Sequence, residues 1–163
     1  MRITGCLAAA LLAVSFAAAA DSKADRQVLE KKFIDTLTEC QMEGSFTIDG
    51  SKRPPASDKY TIAGVRKIGG DDWLIEARIQ YMKHDVTLPV PVKVLWAGDT
   101  PVISLTDVTL PGLGTFSTRL LIHGDRYAGS WQHDKVGGAM WGKITKAKPA
   151  EKKETEKKET EKK

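Results

Sequence analysis

The sequence predicts an all-β domain with one helix in front of it: eight antiparallel strands in up-and-down order, forming a barrel or a strongly curled sheet. Three observations predict this. Apolar side chains recur at every second residue in successive segments between Met42 and Ile144; short Gly- and Asp-rich turns separate most of those segments; and a stretch of helical period precedes them.

The helix is read over 23–40. Ser22 and Asp25 have the spacing of a capping box, and Val28, Leu29, Phe33, Leu37 and Cys40 follow at helical intervals. Arg26, Glu30, Lys31, Asp35 and Glu39 occupy the other face, so the helix should lie on an apolar surface and plug or cover the sheet.

From Met42 the period changes to two. Met42, Gly44, Phe46 and Ile48 alternate with polar residues, then Trp73, Ile75, Ala77, Ile79 and Tyr81, then Val86, Leu88, Val90, Val92, Val94 and Trp96. Further strands are read over 59–67, 101–110, 115–123, 126–133 and 138–146, separated by turns at Gly69–Asp71, Ala97–Asp99, Pro111–Gly114, Gly124–Asp125 and Gly137–Gly138. Short connections favour a meander, and curling so many strands into a barrel hides the sheet edges. Pro89 and Pro91 lie two apart in one strand, where both lack an N–H toward the same neighbour. The barrel should therefore be split or gapped beside residues 88–92.

Outside this domain, residues 1–20 read as an export signal. Arg2 is followed by an apolar run from Ile3, and Ala18, Ala19 and Ala20 provide a small-residue cleavage site. An uncleaved anchor is the competing reading, but the run is barely long enough and is rich in Ala. Cys6 sits too early for lipidation. The expected location is periplasmic or secreted, with no membrane span after cleavage. Cleavage leaves Cys40 as the single cysteine, so no intramolecular disulfide can form, and Cys40 reads as a small buried hydrophobe. The 126 residues 21–146 suffice for one domain, divided into a helical segment (21–41) and a β-barrel (42–146). Residues 147–163 end in an EKKET repeat with nothing to bury and read as a disordered, solubilising tail.

Formal net charge is +4, of which Arg2 supplies one unit and the tail, with seven Lys against five Glu, two. The folded segment is close to neutral, so the basic pI does not point to a nucleic-acid partner.

Catalytic and metal chemistry find little support. His84, His123 and His133 each have a nearby Asp, but a two-residue turn at Gly124 and Asp125 places residue 133 opposite about 116. His123 and His133 are then about 23 Å apart along the strand and cannot share an ion. His84 and His133 read as turn residues at strand ends. Most of Asp49, Asp58, Asp71, Asp72, Asp99, Asp107 and Asp125 fall at turns or strand ends, where Asp is favoured. No catalytic, metal or nucleotide motif is found, and no cofactor is expected. Large aromatic faces on the dry alternation remain: Phe46, Tyr60, Trp73, Tyr81, Trp96, Phe116, Tyr127 and Trp131. An eight-stranded interior is either filled by such side chains or holds one small ligand. The candidate ligand-binding residues are Phe46, Trp73, Tyr81, Trp96, Phe116, Tyr127 and Trp131.

Gly44, Ser45 and Phe46, on the first strand after a helix, resemble the G-x-W opening of the lipocalin-like, or calycin, barrels, with Phe in place of Trp. The ending, with Tyr127, Gly129, Trp131, Gly137, Gly138, Met140 and Gly142, is similar to the closing hairpin of small secreted bacterial proteins of that type. The resemblance implies a lipocalin-like barrel and no particular ligand. Tyr127, Gly129, Trp131 and Gly138 also look like one MORN repeat, but no second copy exists to stack on it. The expectation is an exported, non-catalytic barrel that binds a small apolar molecule or peptide. The alternative is an envelope interaction module that uses a sheet edge and the charged tail; a hydrolase is the least supported reading.

Overall fold

The structure, a computed structural model, describes residues 25–147. The leader, Cys6, the Ser22 cap, the start of the helix and all of the tail beyond Ala147 lie outside the described residues. Helix α1 (25–37) is followed by eight strands: β1 (Cys40–Phe46), β2 (Ala56–Gly69), β3 (Asp72–Tyr81), β4 (His84–Ala97), β5 (Thr100–Leu110), β6 (Gly114–His123), β7 (Arg126–His133) and β8 (Val136–Lys146). Each strand pairs antiparallel with the next, and β1 pairs with β8 over its whole length, so the barrel is closed.

The period of two has a direct consequence in a closed wall: one residue set of every strand enters a single interior. Ile75, Ala77 and Ile79 of β3 and Val90, Val92 and Val94 of β4 are buried, whereas Glu76, Arg78, Lys93 and Leu95 between them are exposed. Outward positions carry ion pairs such as Arg78–Asp85 and Lys93–Asp72.

Two strands break the period, and a bulge restores it each time. In β2 the inward set passes from Ile62 to Val65, three residues on, because the register with β3 shifts between Ile62 and Gly64. In β5 it passes from Leu105 to Val108 at another shift, where Asp107 takes a left-handed conformation with φ 52°. The Ser117 hydroxyl there accepts from the Asp107 N–H at 2.9 Å and donates to the Asp107 carboxylate at 3.1 Å. Arg119 bridges the same bulge from β6, donating to the Leu105 carbonyl and to Thr106 Oγ1.

Helix α1 closes one end of the barrel. Phe33 is 2% exposed and meets Trp73 edge-on at 5.3 Å and Trp96 at 6.3 Å, while Leu37 and Cys40 are fully buried. Burying a side chain such as Phe33 or Leu37 contributes about 1.5–3 kcal/mol. Around this contact, the Arg26 guanidinium lies 5.1 Å over Trp96, and Lys67 pairs with Glu30 at 2.5 Å. The helix ends earlier than its apolar spacing predicts. Glu39 turns left-handed (φ 51°), the Lys146 ammonium donates to the carbonyls of Asp35 and Thr38, and Cys40 opens β1 instead of ending the helix.

Four other expectations are corrected. Val28, placed on the apolar face, is 67% exposed because α1 lies across the barrel end through Leu29, Phe33 and Leu37. Ile48 is exposed, since β1 stops at Phe46. The turn between β7 and β8 is Asp134–Lys135, not Gly137–Gly138. Gly138 belongs to β8, where a Cβ would collide with the Thr47 carbonyl. Strand β2 starts at Ala56 rather than 59, which brings Asp58 into the wall.

The seam between β4 and β5 is incomplete. Pairing runs only from Lys93↔Ser104 to Ala97↔Thr100, near the helix end, so residues 84–92 and 105–110 face each other without a ladder. The prolines lie in this unpaired length. Val94 N–H bonds the Asp71 carbonyl next to β3, so residues of its parity serve the β3 side, and the Pro89 and Pro91 nitrogens face β5. The gap read from the two prolines is present, as a lateral slot open toward the end opposite α1.

Hydrogen exchange checks the slot. The Thr87 and Thr109 amides should exchange at least ~100-fold faster than those of Lys93 and Ser104, which close the seam; equal protection would mean the strands are paired throughout.

The helix plug predicts the behaviour of Cys40, whose thiol burial pushes up to about 11. In a Cys6→Ser chain, thiol reagents should modify Cys40 only on unfolding. Phe33→Ala should cost about 3–5 kcal/mol in denaturant unfolding and make Cys40 reactive under native conditions. Rapid modification of Cys40 with Phe33 intact would contradict this packing.

Candidate functional site

The seven aromatic residues singled out in the sequence all project inward, but the barrel sorts them into two ends and a middle. Trp73 and Trp96 lie under α1 and are packed by Phe33. Tyr127 sits in the middle, 2% exposed. Phe46, Tyr81, Phe116 and Trp131 gather at the far end. Phe46 meets Tyr81 edge-on at 6.4 Å and Trp131 edge-on at 5.6 Å. The Trp131 indole N–H is held by the Thr47 carbonyl at 3.1 Å. Tyr81 pairs with His84 beside one lip of the slot, and Phe116 pairs with Val108 on the other.

The histidines divide the same way. His123 is at the helix end, opposite Arg126, while Phe116 is opposite His133, as the hairpin count predicts. His84 and His133 rim the far end with rings stacked on Tyr81 at 4.8 Å and on Phe116 at 4.4 Å. Among the described residues, no three His, Cys, Asp or Glu side chains are grouped as metal ligands.

Below this aromatic end lies a feature that sequence reasoning missed. One ring of register partners runs Tyr81, Asp58, Gly44, Gly142, Tyr127 and Ile122 across six strands. Asp58 is 5% exposed within it. Its two carboxylate oxygens accept one phenol each, from Tyr60 at 3.1 Å and Tyr127 at 3.2 Å. Gly44 and Gly142 make this possible, since a Cβ on either would collide with the Tyr127 hydroxyl. A strand that starts at Lys59 leaves Asp58 among the turn aspartates. Extending the alternation of Ile62 and Tyr60 back by one step puts Asp58 on the inward face.

No Lys, Arg or His among the described residues forms an ion pair with Asp58. Burial raises its pKa above the usual carboxylate value, and the two phenol donors partly oppose that shift. Burial and the adjacent carboxylate raise the pKa of both Tyr60 and Tyr127 as well, so each phenol keeps its proton and donates it.

Two crevices flank α1 instead. One, of about 540 Å³, separates α1 from the β6–β7 turn between Val28, Lys32, Asp35, Asp125 and Lys146; the other, of about 200 Å³, lies between Phe33, Trp96, Pro101 and Ile122. The first is an open trough walled by charged side-chain stems, and the second is smaller than ordinary ligand pockets. Charged groups of the first are already paired, as Lys31 is with Asp35. The far end instead sets aromatic side chains beside a buried carboxylate that has no ion-pair partner among the described residues.

Compared with known proteins, the chain matches no family model, no curated protein and no solved structure. What fold and site define is therefore a class: a closed eight-stranded antiparallel barrel, plugged by a helix at one end and aromatic at the other. Among the described residues no helix is long and apolar enough to cross a membrane.

The Asp58 environment has a signed pH consequence. A carboxyl whose folded pKa is raised favours the fold when protonated. Its contribution therefore declines as pH rises from the ordinary carboxylate range through the folded value. Asp58→Asn keeps both phenols paired, its amide accepting from one and donating to the other. Wild type should lose stability relative to Asp58→Asn over that pH window in parallel urea titrations, and Asp58→Ala should cost about 1–3 kcal/mol for the orphaned Tyr127 hydroxyl. A pH-independent difference between wild type and the Asn variant would place Asp58 in a solvated setting.

Proposed function

We propose that the protein is an exported, non-catalytic binding barrel that takes a small apolar molecule or an apolar peptide side chain at its aromatic end, entering through the slot between β4 and β5. The observation that carries this reading is that β4–β5 pairing stops at Lys93↔Ser104 and leaves residues 84–92 and 105–110 unpaired, with Tyr81, opposite His84, and Phe116, opposite Val108, flanking the unpaired length. Unpaired strands can part without breaking ladder hydrogen bonds. The lips are apolar and half-buried, through Val86 and Leu88 on β4 and Val108 on β5. These side chains pack against the core in the unliganded chain, so a ligand selects a form in which the lips have parted. Export rests on the leader sequence, with Arg2, the apolar run and Ala18–Ala20.

The envelope-module alternative draws less support from the same edge. With Pro89 and Pro91 turned toward the slot, β4 offers few donors to an added strand, which is how an edge is protected from pairing.

Thermal shift of the chain lacking residues 1–20 against fatty acids, aromatic metabolites and apolar peptides tests the binding reading. A ligand at 100 times its Kd stabilises by about 2.7 kcal/mol, a Tm rise of several degrees for a domain of this size. Leu88→Lys at the lip should abolish the shift while leaving the unliganded Tm within a few degrees. A panel with no hit, or hits indifferent to the lip, would falsify the proposal.

A further inference from the structure

Resting on that binding reading, we infer that the preferred ligand is a cation: a primary ammonium carried on a short apolar or aryl body. Asp58 is the buried carboxylate at the floor of the aromatic end, and no described cationic side chain pairs with it. A carboxylate has about four acceptor positions. The phenols of Tyr60 and Tyr127 occupy two, one on each oxygen, and the residue's own backbone N–H a third, which leaves about one acceptor position. An ammonium can use that position; a neutral hydroxyl competes with the phenols only weakly, and an anion is repelled.

The dimensions agree with such a ligand. Phe46 is two residues beyond Gly44 on β1, and Gly44 is the register partner of Asp58. The Phe46 position thus stands about 7 Å along β1 from the carboxylate layer, the reach of an aryl ring plus a two-carbon arm, while Tyr81 lies in the carboxylate layer itself as the register partner of Asp58. Phe46, edge-on to both Tyr81 and Trp131, flanks the body together with them, and their faces favour a passing cation. A quaternary ammonium has no N–H to donate to Asp58, so it should bind less well than a primary amine.

The probes are phenethylamine, 2-phenylethanol and tetramethylammonium, measured by calorimetry and thermal shift on the chain lacking residues 1–20 at neutral pH. Phenethylamine should bind about 10-fold or more tightly than 2-phenylethanol, the advantage of a charge-assisted hydrogen bond, and tetramethylammonium least tightly. Asp58→Asn should reduce the ratio of the first two to near one. Tyr60→Phe, which frees a further acceptor position, should keep or widen that ratio and guards against a misfolded Asn variant. Equal affinity for amine and alcohol, or a preference that survives in Asp58→Asn, overturns the cation assignment while leaving the apolar-ligand reading intact. Failure of phenethylamine alone, with an apolar compound of the earlier panel still binding, has the same effect. If neither set binds, both readings fall.

Discussion

Closure of the wall through β1 is the constraint from which the other features follow. This strand of seven residues pairs along its whole length with β2 on one side and β8 on the other. An open sheet of the same strands would have two faces and two long edges. Closing it makes one face interior for every strand, so each alternate residue from β1 to β8 meets the same core. Gly44 stands in the middle of β1, where its lack of a side chain lets the β1 and β8 backbones approach and leaves room for the Tyr127 hydroxyl.

Closure also creates two ends with different fates. At one, the chain enters directly from α1, and Phe33, Leu37 and Cys40 complete the core as an extension of β1. At the other, no helix of the described residues arrives, and aromatic side chains from β1, β3, β6 and β7 close the end by edge-to-face contact and by stacking on His84 and His133. The slot belongs to this second end. Two prolines strip β4 of the donors that would hold β5, and beyond its bulge at Asp107, braced by Ser117 and Arg119, β5 pairs with β6 alone.

Within this frame Asp58 is the costly group. A carboxylate in an interior is tolerated only with hydrogen-bond donors aimed at it, and here two phenols and two glycines are committed to that task. Four residues on separate positions of β1, β2, β7 and β8 serve one carboxylate, which is more than a turn aspartate requires.

Much of this was legible in the chain. The eight strands, the helix before them, the inward faces of β3 and β4 and the gap beside Pro89 and Pro91 follow from local rules, because side-chain alternation and a missing N–H are properties of the strand itself. The bulges were not legible, since a shift from Ile62 to Val65 reads as a loss of period until the partner strand sets the register. Nor was the division of the aromatics between a plugged end and an open one, which depends on where α1 docks. Asp58 shows the limit most plainly. Its acidic side chain and nearby Pro54 and Pro55 speak for a loop, and only the approach of Tyr60 and Tyr127 from two strands makes it an interior residue. By itself the sequence determined which residues alternate and therefore which could share an interior. The tertiary structure decided which of them touch, because contact across a barrel is set by register between strands far apart in the chain.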